Sequence, residues 1–312
     1  MLKVLITGGA GYIGSLLSDY LVRKNFQVTV IDNLKFKKNT IGHLLLCKNF
    51  KFIFGDVRNE ALYLREIKNN DIILPLAALV GAPLCNLHEN EAKEVNEISI
   101  DYLFRNLERS QIVIYPTTNS GYGITKKNIV CTEDMPLNPI SIYGKTKTNA
   151  ERILMQRENT ICLRLATVFG VSFRNRIDLL INNFVYNSIF NKEMVIYEPE
   201  FRRNFIHIRD IIYTFEYCVE KFTLLKNNIY NVGLSSANLT KLELCNEIKK
   251  VVKDFNYKIS SDGTDPDKRD YFVSNEKLEK TGWLPKISLS DGIKELVQSY
   301  NITQKENFDK NI

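Results

Sequence analysis

The stretch Val4-Leu5-Ile6-Thr7-Gly8-Gly9-Ala10-Gly11-Tyr12-Ile13-Gly14 constrains the fold more than any other part of the chain. An apolar run ends in three spaced glycines, Gly8, Gly11 and Gly14, and passes into Ile13, Leu16, Leu17, Tyr20 and Leu21 at helical spacing. That pattern predicts strand, tight turn, helix. Gly8 and Gly11 let the backbone turn sharply and approach a pyrophosphate, and Gly14 lets the helix pack close to the strand. The start of the helix offers unpaired N–H groups and about half a positive charge to an anion. A glycine turn alone also suits a purely structural role, so the sequel matters.

The sequel is a second apolar run, Val28-Thr29-Val30-Ile31, ending in Asp32. Its separation from the glycines is close to that of a carboxylate binding the adenosine ribose hydroxyls of a dinucleotide. Asp32 repels a 2′-phosphate, which favours NAD over NADP. Lys35, Lys37 and Lys38 lie nearby and, placed on a loop, read as a solvated basic face.

Further strands are expected at 51–54, 71–76, 112–115 and 161–165, with helices at 61–68 and 92–107 and another opening near Tyr143. Strands alternating with helices imply a parallel sheet covered on both faces. Beyond Gly170 the alternation loosens. A helix is expected at 179–190, a strand at 194–197, a helix capped by Asp210, a capping box at Thr240-Lys241-Leu242-Glu243, a polar loop at 262–270 and a last helix at 290–300, with a frayed tail beyond Thr303. Two domains follow from this, 1–170 and 171–312, with some chain exchange between them.

At 312 residues, 44% hydrophobic and 25% charged, the chain can bury a sizeable core and has the composition of a soluble globular protein. The net charge of +6 forms no long basic tract, which fits a small anionic substrate better than nucleic acid. The six cysteines include no close pair of the kind that binds zinc or cycles redox, and they read as small buried apolar residues in a reducing compartment. The N-terminus enters its first strand at once, and the longest apolar stretch, 72–84, is too short to span a bilayer. The expected location is the cytoplasm, with no metal and no membrane partner.

The strand at 112–115 delivers the chain to Pro116-Thr117-Thr118-Asn119-Ser120-Gly121-Tyr122-Gly123, beyond the carboxyl end of the sheet, where ligands of such sheets sit. Tyr143 and Lys147 are four apart and share one helical face. Thr118, Tyr143 and Lys147 suffice for hydride transfer at a hydroxyl-bearing carbon. A tyrosinate removes the hydroxyl proton as hydride leaves, but free tyrosine has a pKa of about 10. An ammonium at about 4 Å, in a medium of effective dielectric about 20, contributes on the order of 4 kcal/mol, or roughly three pKa units as an upper bound. Lys147 is therefore expected to make Tyr143 a base near neutral pH, with Thr118 fixing the hydroxyl.

With these residues the chain resembles the extended short-chain dehydrogenase/reductase family of nucleotide-sugar enzymes over nearly its full length. The matching pieces are Thr7 to Gly14, Asp32, Gly55-Asp56, Ala77-Ala78, Asn96, Thr118 with Tyr122-Gly123, Tyr143 to Lys147, Arg203 with His207 and Asp210, and Gly282-Trp283-Leu284-Pro285. The resemblance implies a Rossmann-type doubly wound parallel sheet with a smaller mixed α/β C-terminal substrate-binding domain. It implies tightly bound NAD held by Gly8, Gly11, Tyr12, Ile13, Gly14, Asp32, Asn33, Asp56, Val57, Ala77 and Ala78, with Tyr143 and Lys147. Asp56 is implied at the adenine. A nucleotide-diphosphate sugar is implied at Thr118, Asn119, Arg203 and Arg269, the two arginines on the diphosphate. On residue type alone each arginine reads as a surface charge.

The 4,6-dehydratases of this family carry an acidic pair after the catalytic threonine, where this chain has Asn119 and Ser120. Expelling a hydroxyl needs a proton donor and removing a C5 proton needs a base, so dehydration is disfavoured. Oxidation at C4, or oxidation and re-reduction as a 4-epimerase, remains. The strings 76–85, 119–123, 233–240 and 265–271 resemble NAD-dependent GDP-heptose 4-dehydrogenases of bacterial capsule pathways. That resemblance implies GDP-D-glycero-D-manno-heptose as substrate, 2-oxoglutarate as the final electron acceptor, and a homodimer built on the helices at 92–107 and 143–157. Thr167 departs from the asparagine of many relatives, which puts phosphate contacts there in question. A catalytically silent NAD-binding regulator is the remaining alternative. His207 and Trp283 are expected to be structural, Cys85 to fill core, and Glu133 and Asp134 to sit on a solvated loop.

Overall fold

The computed structural model describes residues 1–126, 129–263 and 269–303. The tail beyond 303 and residues 264–268 of the polar loop, which include most of the 265–271 string, lie outside the described residues. Seven parallel strands form the main sheet, in the order Asn228–Val232, Thr160–Leu165, Ile112–Thr118, Ile72–Pro75, Lys3–Thr7, Gln27–Asp32 and Phe50–Phe54. Val4 to Thr7 are all buried, as expected of a strand covered on both sides. Alternate residues feed two apolar layers. Val4, Ile6, Val28 and Val30 pack with Leu17, Leu21, Ile211 and Phe215 on one face, while Leu5, Ile31, Ile73 and Val113 pack with Tyr63, Ile67, Leu103 and Leu154 on the other.

Strand order reverses on either side of Lys3–Thr7, whose neighbours are Gln27–Asp32 and Ile72–Pro75. Their carboxyl ends therefore open one crevice, the place where such sheets take ligands. Past residue 170 the chain crosses back: Ile208–Glu220 packs on the main sheet and Asn228–Val232 completes it. Thr167–Phe169, in turn, pairs with Arg202–His207 in a three-stranded sheet. Helices Leu180–Phe190, Lys241–Val251 and Leu289–Ile302 surround a separate core with Phe169, Phe205, Leu244 and Leu296.

Local signals are realised with two adjustments. Thr240 and Glu243 form the reciprocal capping box, at 3.1 and 2.7 Å. Asp210, expected as a cap, instead lies in the first turn behind His207, and its carboxylate accepts from the backbones of Lys286 and Ile287 at 2.8 and 3.1 Å. The helix expected at 92–107 is interrupted by a π-turn at Glu94–Ile98. Asn96 in that turn bonds both the N–H and the carbonyl of Leu79, at 2.8 and 3.0 Å. Among the described residues, no helix is long and apolar enough to cross a membrane, and no three His, Cys, Asp or Glu side chains group to hold a metal.

Candidate active site

The glycine turn is forced by space. Gly8 has φ +72°, and a Cβ there would stand 2.7 Å from the Ala77 nitrogen. A Cβ on Gly14 would collide with the Gly8 carbonyl, so the helix Tyr12–Arg23 can seat on the turn only without one. No side chain caps this helix and its first turn holds no acid, so its positive end faces the crevice unopposed. Asp32 braces the turn, accepting from Ala10 N at 2.9 Å and Leu34 N at 2.8 Å. Each oxygen keeps a lone pair for a ligand hydroxyl. Burial pushes the Asp32 carboxyl up, against those two backbone bonds and the charge of Arg174. Asn33 donates to Asp56 at 2.8 Å. Burial works against the Asp56 carboxylate, but the bonds from Arg58 and Asn33 prevail and hold it down at about 2.

At the other end of the crevice, Thr118 closes the strand Ile112–Thr118, and Ser141 caps the helix Ile142–Leu154, accepting from Gly144 N at 3.1 Å. One cavity of about 470 Å³ is lined by Thr118, Tyr143 and Lys147 together with every residue of the implied cofactor set. That volume suits a cofactor site, about 300–1,000 Å³. The electrostatics differ from the simple expectation. Burial pushes the Tyr143 phenol up to about 12; the cations opposing that rise are Arg269 and Arg176, with a hydrogen bond to Thr118. Burial also pushes the Lys147 ammonium down to about 7, and its Nζ rests 4.0 Å from the Tyr115 ring centre. Desolvation raises a phenol and lowers an ammonium at once, and a single neighbouring charge does not offset it here.

The Thr118 end of the cavity is cationic. Arg203 is 2% exposed, lies 5.8 Å from the Tyr271 ring and lines the cavity, as does Arg269. Arg269 donates to Ser120 Oγ, which also accepts from Thr118 Oγ1 at 2.9 Å. Thr167 is in the wall. Asn119 is not: it is 1% exposed, its amide makes no hydrogen bond among the described residues, and it opens the short turn Asn119–Tyr122. Sequence reasoning missed Phe36, Arg174, Arg176 and Asp178, all in the wall. The signal was the basic pair Arg174 and Arg176, just past a strand end.

The residues expected to be structural fall as follows. His207 pairs with Glu295 at 2.7 Å and meets the Phe169 ring edge-on. Cys85 is fully buried, donates to the Leu79 carbonyl at 3.3 Å, and has its thiol pushed up to about 12 by burial. All six cysteines are free. Trp283 is 5% exposed in the main core. Glu133 departs from its expected solvated loop: it is buried and accepts from Asn231 N at 2.7 Å, whereas Asp134 is exposed. Beside it Arg164 forms a buried pair with Glu151, one turn past Lys147, with a shortest contact of 2.7 Å.

The family model described as the NAD dependent epimerase/dehydratase family matches residues 4–233. The chain is 27% identical to a dTDP-D-glucose 4,6-dehydratase of Dictyostelium discoideum over 79% of its own length, and spans 61% of that protein. It is 25% identical to a putative UDP-glucose 4-epimerase of Methanocaldococcus jannaschii, over 94% of this chain and 97% of that protein. Its fold matches that of UDP-glucuronic acid 4-epimerase from Bacillus cereus, solved with UDP-glucuronic acid and NAD, with a TM-score of 0.84 and 22% identity over 96% of this chain and 99% of that one.

Proposed function

Because this chain belongs to the NAD dependent epimerase/dehydratase family and NAD is its cofactor, we propose that it oxidises the C4 carbinol of a nucleotide-activated sugar. The observation that carries this reading is the single cavity joining the glycine turn and Asp32 to Thr118, Tyr143 and Lys147. The cradle fits the cofactor: Gly8 and Gly14 admit a pyrophosphate against the uncapped helix, and Asp32 takes ribose hydroxyls. When bound, NAD supplies the acceptor for a hydride. Tyr143 takes the C4 hydroxyl proton and Thr118 fixes that hydroxyl by hydrogen bond. Arg269 and Arg176 supply the positive potential that favours the phenolate. Arg203 and Arg269 hold the diphosphate. Ser120 has its oxygen engaged by Thr118 and Arg269, and Asn119 lies outside the wall, which supports oxidation without dehydration.

The sequence strings favour GDP-D-glycero-D-manno-heptose, converted to its 4-keto form, with 2-oxoglutarate reoxidising the cofactor and a homodimer as the working unit. A 4-epimerase is the second reading, favoured by the full-length match to the archaeal epimerase-like protein. Purified protein is incubated with GDP-heptose, with and without 2-oxoglutarate, and the products are read by NMR. A 4-keto sugar that accumulates with 2-oxoglutarate supports the first reading. The C4 epimer alone, without any added acceptor, selects the second. No turnover of GDP-, UDP-, dTDP- or CDP-sugars, with Tyr143→Phe binding NAD like the wild type, rejects both in favour of a silent NAD-binding protein. Light scattering tests the dimer.

A further inference from the structure

The loop after Asp32 runs along one end of the cavity, where Leu34, Lys35, Phe36 and Lys38 line the wall and Phe36 also packs on the core. Lys35 and Lys37 are exposed, while Phe36 is half-buried in the cavity wall. Leu34 and Lys37 flank it with φ of 49° and 52°, conformations that non-glycine residues keep only where surrounding contacts hold them. The contacts are there. Lys35 Nζ pairs with Glu91 at 2.6 Å, and Thr40 Oγ1 donates to the Ala10 carbonyl at 2.8 Å. Phe36 itself meets a residue 138 positions away: the Arg174 guanidinium carbon is 3.7 Å from its ring centre.

Arg174 arrives from the other half of the chain on a loop that is pinned to the helix behind the glycine turn. Tyr12 donates its phenol to the Gly170 carbonyl at 2.7 Å, and Ser172 Oγ donates to the Tyr12 carbonyl at 2.6 Å. The ring of His43 packs on Phe173 at 4.7 Å. Arg174 is 5% exposed, lines the cavity, and its charge acts on Asp32. The guanidinium centred over the Phe36 ring, desolvated and acting on the Asp32 carboxylate, joins the two loops across that end of the cavity.

We propose that Phe36 and Arg174 form a clasp over the adenosine end of the cavity, and that opening this clasp sets the rate at which NAD leaves. The contact is a positioning device for the cofactor, supplied jointly by the loop after Asp32 and the loop after Gly170. It rests on NAD as cofactor and is independent of which sugar is oxidised, or where.

The test is an exchange measurement on the full-length protein. Wild type, Phe36→Ala and Arg174→Lys are loaded with radiolabelled NAD and chased with excess unlabelled NAD, and retained label is followed by filter binding. Losing a desolvated cation–π contact predicts release roughly 10- to 30-fold faster for Phe36→Ala. Arg174→Lys keeps the charge and loses the planar guanidinium over the ring, and is expected to accelerate release in the same direction. Urea midpoints measured in saturating NAD report whether each variant is folded; Phe36 sits on a surface loop, and Arg174→Lys serves if Phe36→Ala does not fold. Release within twofold of wild type from folded variants overturns the clasp. So does acceleration by Phe36→Ala with Arg174→Lys unchanged, because the ring would then act without its partner.

Discussion

Lys147 offers the sharpest quantitative test of the site. Burial lowers its ammonium from about 10.5 to about 7. In the unfolded chain the proton stays on to about pH 10, so between these limits the unfolded state binds more protons and stability must rise with pH. One proton is worth at most about 1.4 kcal/mol per pH unit, and at pH 7 half of the folded molecules have already released it. Integrated from pH 7 to pH 9, the gain is about 2 kcal/mol, or roughly 3 °C in Tm for a chain of this size. Five buried thiols, at Cys85, Cys131, Cys162, Cys218 and Cys245, are pushed up by burial and act with the opposite sign near pH 9 and above. Comparing the wild type with Lys147→Met cancels them, since both proteins carry all five. Methionine fills a similar volume against Tyr115 and does not titrate. Both proteins, stripped of nucleotide, are unfolded in urea at pH 7, 8 and 9. Circular dichroism and the fluorescence of Trp283, the single tryptophan and 5% exposed, report the transition. The stability of wild type relative to the variant should increase by about 2 kcal/mol over that range. A difference that stays constant within about 0.5 kcal/mol, or that falls, refutes the desolvated ammonium.

Three further outcomes follow from the geometry. Tyr143→Phe should lower turnover by about 10²- to 10⁴-fold with the fold retained, measured by initial rates and circular dichroism. Arg164→Met should cost about 3–5 kcal/mol in urea unfolding, because it strands Glu151 as a buried unpaired carboxylate. Adding Glu151→Leu should recover a large part of that loss. Gly14→Ala drives a methyl group into the Gly8 carbonyl and should abolish NAD binding measured by calorimetry.

The cofactor half was legible because its signals are local. A glycine at Gly8 or Gly14 is demanded by backbone geometry that the neighbouring residues create, and Asp32 follows at a distance fixed by one helix and one strand. What escaped reading depends on partners far away in sequence. Glu133 looks like a loop acid until Asn231, 98 residues on, presents its N–H. Asp210 looks like a cap until Lys286 and Ile287 arrive to use its carboxylate. Asn119 and Ser120 cannot be told apart by pattern, because strand alternation stops at Thr118 and a tight turn decides which of them faces the cavity. The Tyr143 phenol depends on distant partners in the same way: burial is a property of the assembled fold, and it outweighs the nearby charge that spacing alone suggests.

The same assembled wall bears on the proposed reading. Among the described residues, the carboxylates lining the cavity are Asp32, Asp56, Glu91 and Asp178. Asp32 is engaged by Ala10 and Leu34, Asp56 by Arg58, Glu91 by Lys35 and Asp178 by Arg176. The first three cluster around the loop after Asp32, and the fourth is fixed in an ion pair. Protonating a departing hydroxyl requires an acid within about 3 Å of it. Beside Thr118 the wall instead presents the Ser120 hydroxyl and the cation of Arg269. On the proposed reading Tyr143 moves one proton, and NAD, when bound, would take one hydride. A ketone that leaves is the product of a dehydrogenase; a ketone that turns its other face before the hydride returns gives an epimer. On the proposed reading neither outcome needs a second acid or base, and the two differ in whether the ketone leaves the cavity or turns within it.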